Sequence, residues 1–408
     1  MRKITLLAFL LILAFGLTAC LSETPTPTPA PTATVVQVNV SSPTPSQTAV
    51  SPTSTVAPTA TQTNTPTPEI VAYGPDNFPS DVNPLTGLQV GDPALLDRRP
   101  LSVKVQLFPR GQRPPYGVGL ADLVFDYYQN SGLTRLHAIF YGHDAERVSP
   151  VRSARLFDGE LVQMYKSVFA FGGADRFILN RLFTSEYGDR LVVEGAGSYP
   201  AMERIDPNVS NYLAVNIVEL SKYASNDPDI DNSRQNLDGM IFNSDVPAGG
   251  DTGEHLFVRY SISSYVRWDY NAAEGGYVRY QDTREASSQA EEDYGSEPMK
   301  DGATGETILA DNVLVLKVPH ENIRKTGNEV IDIHLDDSGV GYAYRDGKVY
   351  GITWTRPPSG DMLTFSLQAN GTEMTYPLKP GNTWIQIIGE TSDVETQPGN
   401  VLRFTFAP

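Results

Sequence analysis

Arg152 and Arg155 bracket Ser153 at the start of a stretch, Arg155 to Tyr165, whose apolar residues recur at helical spacing. Two guanidiniums, a hydroxyl and the free N–H groups of a helix start suit an anion. Arginine donates in forked pairs to phosphate or carboxylate, and the helix terminus adds partial positive charge. The chemistry expected there is retention of a phosphate or a glycan carboxylate. From the residues alone an alternative stays open, in which one arginine pairs with Asp122 or Asp126 and the other lies in solvent.

Cys20 carries a different chemistry. It is the one cysteine of the 408-residue chain and closes the run Leu17-Thr18-Ala19-Cys20. Arg2 and Lys3 precede an apolar stretch from Ile4 to Phe15 that is short for a membrane span, so residues 1–19 read as a removable signal peptide. The segment resembles a bacterial lipobox. That resemblance implies acylation of Cys20 and a tether to the outer face of a membrane. With its thiol occupied, no cysteine remains for a nucleophile, a zinc site or a disulfide.

Other chemical signals are weak. Asp227, Asp229, Asp231 and Asp238 approach calcium-loop spacing, but Asn232 stands where glycine should make the turn and Pro228 stiffens the entry; a solvated linker is expected. The five histidines form no metal-ligand pair at short spacing, and there is neither a Gly-x-Ser-x-Gly elbow nor a P-loop. Trp268, Trp354 and Trp384 are expected to pack a β core.

Thr24 to Pro68 contains no charged and no aromatic residue and consists largely of Thr, Pro, Ser, Ala, Val and Gln. Such a stretch cannot bury enough apolar surface to offset chain entropy, so residues 20–82 read as a lipidated, disordered stalk. At about 3 Å per residue it could reach roughly 100 Å. Removal of Arg2 and Lys3 with the leader moves the formal net charge from −17 to −19, which argues against nucleic-acid binding.

The elements that must position the arginines lie beyond the stalk. Leu101 to Leu107, Leu123 to Tyr128, Leu136 to Tyr141 and Val168 to Phe171 read as strands; Arg155 to Tyr165, Asp175 to Phe183 and Asn211 to Tyr223 read as helices. This alternation predicts an α/β layered N-terminal domain over residues 83–235. Over residues 236–408 turn signals dominate. Asp346-Gly347, Asn370-Gly371 and Glu274-Gly275-Gly276 each separate strand-like runs, so a mainly antiparallel β domain is expected and the chain is placed in the α+β class.

Several runs together resemble a known family. Asn83-Pro84-Leu85-Thr86-Gly87-Leu88, Gly132-Leu133-Thr134-Arg135, Ser149-Pro150-Val151-Arg152-Ser153-Ala154-Arg155 and Pro380-Gly381-Asn382-Thr383-Trp384-Ile385 are similar to the YerB-like family of bacterial lipoproteins, a domain of unknown function with N- and C-terminal parts. Ser149 stands where glycine is expected, and Ala174 where serine is usual. The resemblance implies an envelope setting and a two-part layout but no reaction. Arg135, Arg152, Ser153 and Arg155 are the anion-binding candidates, with a cell-wall or anionic glycan ligand expected.

The order of pieces also faintly resembles the LytR-CpsA-Psr phosphotransferases, which act on polyprenyl-pyrophosphate-linked wall polymers. That likeness implies arginines on a pyrophosphate and a carboxylate such as Asp122 or Asp126 holding Mg²⁺. Ser153, however, stands where an aspartate should follow the key arginine. The first expectation is therefore a binding protein without catalysis or cofactor, with phosphotransfer as the alternative.

Overall fold

The computed structural model describes residues 72–206, 212–357, 362–369 and 372–408; Cys20, the leader and most of the stalk lie outside them. The described chain is mainly β, with three α-helices. Leu101–Gln106 (β1), Leu123–Asn130 (β2) and Leu133–Phe140 (β3) form the sheet beneath the arginines. β3 lies between the other two, antiparallel to both. Leu156–Tyr165 (α1) packs over them, followed by Val168–Phe171 (β4), Arg176–Phe183 (α2), Leu191–Val193 (β5) and Ile217–Asn226 (α3).

Both faces of these strands are buried, and the alternation of side chains sorts them into two cores. Val103, Val124, Leu136 and Ala138 share one core with Trp268 and Trp384. Leu123, Phe125, Tyr127 and Ile139 share the other with Phe157 and Leu161 of α1. All three tryptophans are buried, as their strand context predicts.

The second half of the chain supplies His255–Ser261 (β6), Ser264–Asn271 (β7), Gly276–Asp282 (β8), Asn312–Val318 (β9), Asp337–Arg345 (β10), Lys348–Arg356 (β11), Thr364–Ala369 (β12), Thr372–Thr375 (β13), Thr383–Gly389 (β14), Asp393–Gln397 (β15) and Val401–Thr405 (β16). Asp346-Gly347 turns β10 into β11, both residues at positive φ, and Gly275 turns β7 toward β8. β12 and β13 also pair antiparallel, the Asn370-Gly371 turn itself lying outside the described residues.

One twelve-stranded sheet runs β13-β12-β11-β10-β9-β14-β2-β3-β1-β4-β5, with Asp251–Thr252 added against β11. β14 pairs in parallel with β9 on one side and β2 on the other, so strands from before and after residue 235 share this sheet. The described residues fall within one compact unit. β8, β7, β6, β16 and β15 make most of a second, seven-stranded sheet.

One element differs from expectation. The stretch Asn211–Tyr223 was expected to be helical throughout, but Leu213–Val215 is a strand paired with Met202–Arg204, and α3 begins only at Ile217. Asn216 sets that start, its side chain accepting from the Glu219 N–H at 3.1 Å, and Leu-Ala-Val before it fills a β position.

Candidate anion-binding site

The segment that carries Arg152, Ser153 and Arg155 is held as a strap. Where β4 leaves the edge of β1, residues 150–152 take its place: Gln106 N–H donates to Pro150 O at 3.1 Å and Arg152 N–H to Lys104 O at 2.9 Å. On the other side Val151 N–H reaches Leu213 O, Gly172 N–H reaches Arg152 O and Ala154 N–H reaches Gly173 O. Gly172 packs closely, since a Cβ there would lie 3.1 Å from Leu213 Cδ2, and Gly173 is favoured by its φ of +109°.

Strand register brings the third arginine to the strap. Arg135 on β3 stands opposite both Gln106 and Tyr127. Its guanidinium donates to Ser153 O at 2.7 Å. Arg152 Nε donates to Gln106 Oε1 at 2.7 Å, while Arg155 donates to Gln129 Oε1 at 2.7 Å and to Ala154 O at 2.9 Å. The sheet end therefore gathers Arg135, Arg152 and Arg155 around Ser153. Arg135 and Arg155 make no ion pair among the described residues; neutral carbonyl and amide oxygens hold them.

The electrostatics record this crowding. Burial, then Arg155 and Arg152, push the Arg135 guanidinium down to about 9. Burial also lowers Arg155, opposed by Tyr127, Asp158 and Asp175. Arg152 is lowered by burial and by Arg204, against Glu194. Beside the cluster lies a cavity of about 280 Å³ lined by Ser153, Arg155, Asp175, Asn328 and Glu329 among others. The Ser153 side chain makes no hydrogen bond among the described residues, so its hydroxyl is available to a ligand.

Directly below sits a set of buried polar residues that the sequence reading missed. Asp158, in the first turn of α1, accepts the Arg155 backbone N–H on Oδ2 at 2.6 Å. Its Oδ1 accepts from Lys104 Nζ at 3.1 Å and Tyr127 OH at 2.6 Å, and lies 2.9 Å from His137 Nδ1. Lys104 Nζ also donates to Tyr127 OH. All four side chains are fully buried. Burial alone would raise the Asp158 carboxyl, but Lys104 and His137 outweigh it and hold the group well below the carboxylate range. Burial takes Lys104 down to about 7, lowers His137 and raises Tyr127. The signal available in the sequence was period two: Lys104 with Gln106, Arg135 with His137 and Tyr127 with Gln129 place polar side chains on one face of otherwise apolar strands.

Asp122 and Asp126 are not part of this cluster, which corrects the expected pairing. Asp126 has the opposite parity on β2 from Tyr127 and Gln129, so its carboxylate enters the other core and pairs with Arg279 at 2.7 Å. Asp122 lies seven residues before Gln129, at the far end of β2, where it accepts the N–H groups of Tyr141 and Gly142 at 2.5 and 2.9 Å. Among the described residues no group of three or more His, Cys, Asp or Glu side chains is arranged to hold a metal ion, and no helix is long and apolar enough to cross a membrane.

Comparison with known proteins matches two family models to this chain. The N-terminal domain of a protein of unknown function, DUF3048, covers residues 85–226, and the C-terminal domain of the same family covers residues 256–385. The sequence is 24% identical over 327 residues to YerB of Bacillus subtilis strain 168, a protein named as a lipoprotein, covering 78% of this chain and 88% of that one. The crystal structure of Bacillus subtilis YerB superposes with a TM-score of 0.58 at 23% identity, over 75% of this chain and 96% of the other, which shows a shared fold.

Proposed function

The chain belongs to the two-part DUF3048 family of proteins of unknown function, and on that footing we propose a lipid-anchored envelope protein that binds an anionic ligand without catalysis. Acylated Cys20 holds it at the extracytoplasmic face of a membrane, the Thr/Pro-rich stalk spans residues 20–82, and Arg135, Arg152, Ser153 and Arg155 bind the ligand. The name carried by its Bacillus relative supports the anchor, as does the lipobox-like run before Cys20. The family's two-part layout supports a sequence division near residue 235, an N-terminal part with all three α-helices and a β-rich C-terminal part.

The observation that carries the binding reading is the convergence of three guanidiniums on one strap, two of them held only by neutral oxygens. Confining like charges this closely is unfavourable unless an anion offsets them. The phosphotransferase alternative needs a carboxylate beside the arginines, and the two aspartates suggested for it are bonded elsewhere.

The test is retention of the full mature chain, in detergent, on immobilised purified wall polymer. Arg152→Ala with Arg155→Ala should weaken retention, and the wild-type interaction should weaken steeply with added salt. Unchanged retention by a double variant that melts like wild type overturns the reading.

A further inference from the structure

The arginine cluster opens onto a second feature. Leu213, whose carbonyl accepts the Val151 N–H at 2.8 Å, lines a cavity of about 350 Å³ with Glu194, Tyr199, Met202, Glu203 and Arg204. A Cβ at Gly172 would lie 3.1 Å from Leu213 Cδ2 and 3.6 Å from Arg152 Cα, so the Leu213 side of this cavity adjoins the strap. Tyr199 also walls a further cavity of about 430 Å³, with Glu219, Lys222, Tyr223, Asn226 and Asp227 around it. Its ring is 67% exposed, and its hydroxyl makes no hydrogen bond among the described residues. A large aromatic thus stands in the open between two hollows whose linings mix apolar surface with polar side chains.

That combination matches a sugar ring better than an apolar or a polyanionic ligand. A pyranose presents an apolar C–H face that packs on an aromatic ring, while its hydroxyls need donors and acceptors at the edges. Arg204 pairs with Glu194 at 2.6 Å and Lys222 with Glu219 at 2.7 Å, which leaves the rim well supplied with polar atoms but with no surplus of positive charge. An apolar occupant would strip water from those carboxylates at high cost. A strongly anionic segment would meet Glu203 and Asp227 without a matching cation excess.

We propose that Tyr199 is a saccharide platform, and that the ligand whose anionic group rests on the arginines is a glycan whose uncharged rings run past Arg152 and over Tyr199. The proposal rests on the anion-binding reading and names the class of ligand. It assigns each end of the groove a separate chemistry, so the two can fail separately.

The experiment is calorimetric titration of the full mature chain with neutral hexamers of N-acetylglucosamine and of glucose, and separately with inorganic phosphate. At least one hexamer should bind saturably and with little salt dependence. Tyr199→Ala should weaken it about tenfold, Tyr199→Trp should retain it, and neither change should alter phosphate binding. Arg152→Ala with Arg155→Ala should abolish phosphate binding and spare the hexamer. Absence of saturable binding to both hexamers, or equal affinity in Tyr199→Ala, overturns the saccharide platform while leaving the anion site intact. Phosphate binding that is absent in the wild type, or that survives Arg152→Ala with Arg155→Ala, would overturn the anion site.

Discussion

Lys104 Nζ and Asp158 Oδ1 stand 3.1 Å apart with both side chains fully excluded from solvent, directly beneath Arg155. Asp158 bonds upward to the backbone of Arg155 and downward to Lys104, Tyr127 and His137. It ties the start of α1 to the strands below, so the position of Arg155 depends on an ion pair no ligand can touch.

Removing one charge from that pair should be costly. Asp158→Asn removes the counter-charge, so Lys104 must give up its proton to stay buried, and the expected loss is roughly 3–5 kcal/mol in urea unfolding at neutral pH. A loss under about 1 kcal/mol would mean that α1 is held by its apolar face alone.

The same pair sets a pH dependence with two windows. Burial lowers Lys104 from 10.5 to about 7, so between those values the unfolded chain binds the proton that the folded chain has released, and stability should rise with pH across that interval. Asp158 is depressed in the fold, so its contribution is present above its ordinary value of 3.8 and is lost as pH falls below it. Unfolding midpoints followed from pH 7 to 10 should climb in the wild type and flatten in Lys104→Met. Identical slopes would remove Lys104 as the source.

Asp126 and Arg279 offer a test that separates structural from catalytic aspartates. Their pair is buried, with Arg279 lying 5.9 and 5.4 Å from the rings of Trp268 and Trp384. Asp126→Asn should lower stability by several kcal/mol, about 3–5 by the same reasoning, yet leave phosphate affinity unchanged once the variant is folded. Lost phosphate binding in a folded Asp126→Asn would reinstate that carboxylate at the site.

Cys20 can be tested without reference to any ligand. Cys20→Ala should shift the protein from the membrane fraction to the medium or periplasm while leaving the melting behaviour of the folded body unaltered, read by fractionation and by circular dichroism. A variant that stays with the membrane would mean that another segment anchors the chain.

Local chemistry made much of this fold legible. β4 falls at Val168–Phe171 as its apolar run predicts, and Asp346-Gly347 turns a hairpin because both residues accept positive φ. Partner choice is another matter. Nothing in Thr383–Gly389 announces that it will lie between β9 and β2, since a parallel pairing made across more than two hundred residues leaves no local pattern. At the site, Arg152 and Arg155 could be picked out by type and spacing, whereas the register that sets Arg135 opposite Gln106 and Tyr127 could not. Asp126 was left open as a partner of the arginines because alternation along β2 sends neighbouring residues to opposite faces and only the fold shows that this one meets Arg279. Lys104 escapes notice for a related reason: its buried partner Asp158 lies on α1, which begins only at Leu156.

β14 enters the middle of its sheet from the last thirty residues of the chain, and the edge of β2 stays open until it does. A chain that folds from its N-terminus therefore cannot close this sheet early: its central seam is completed only when β14 is there to pair with both β9 and β2.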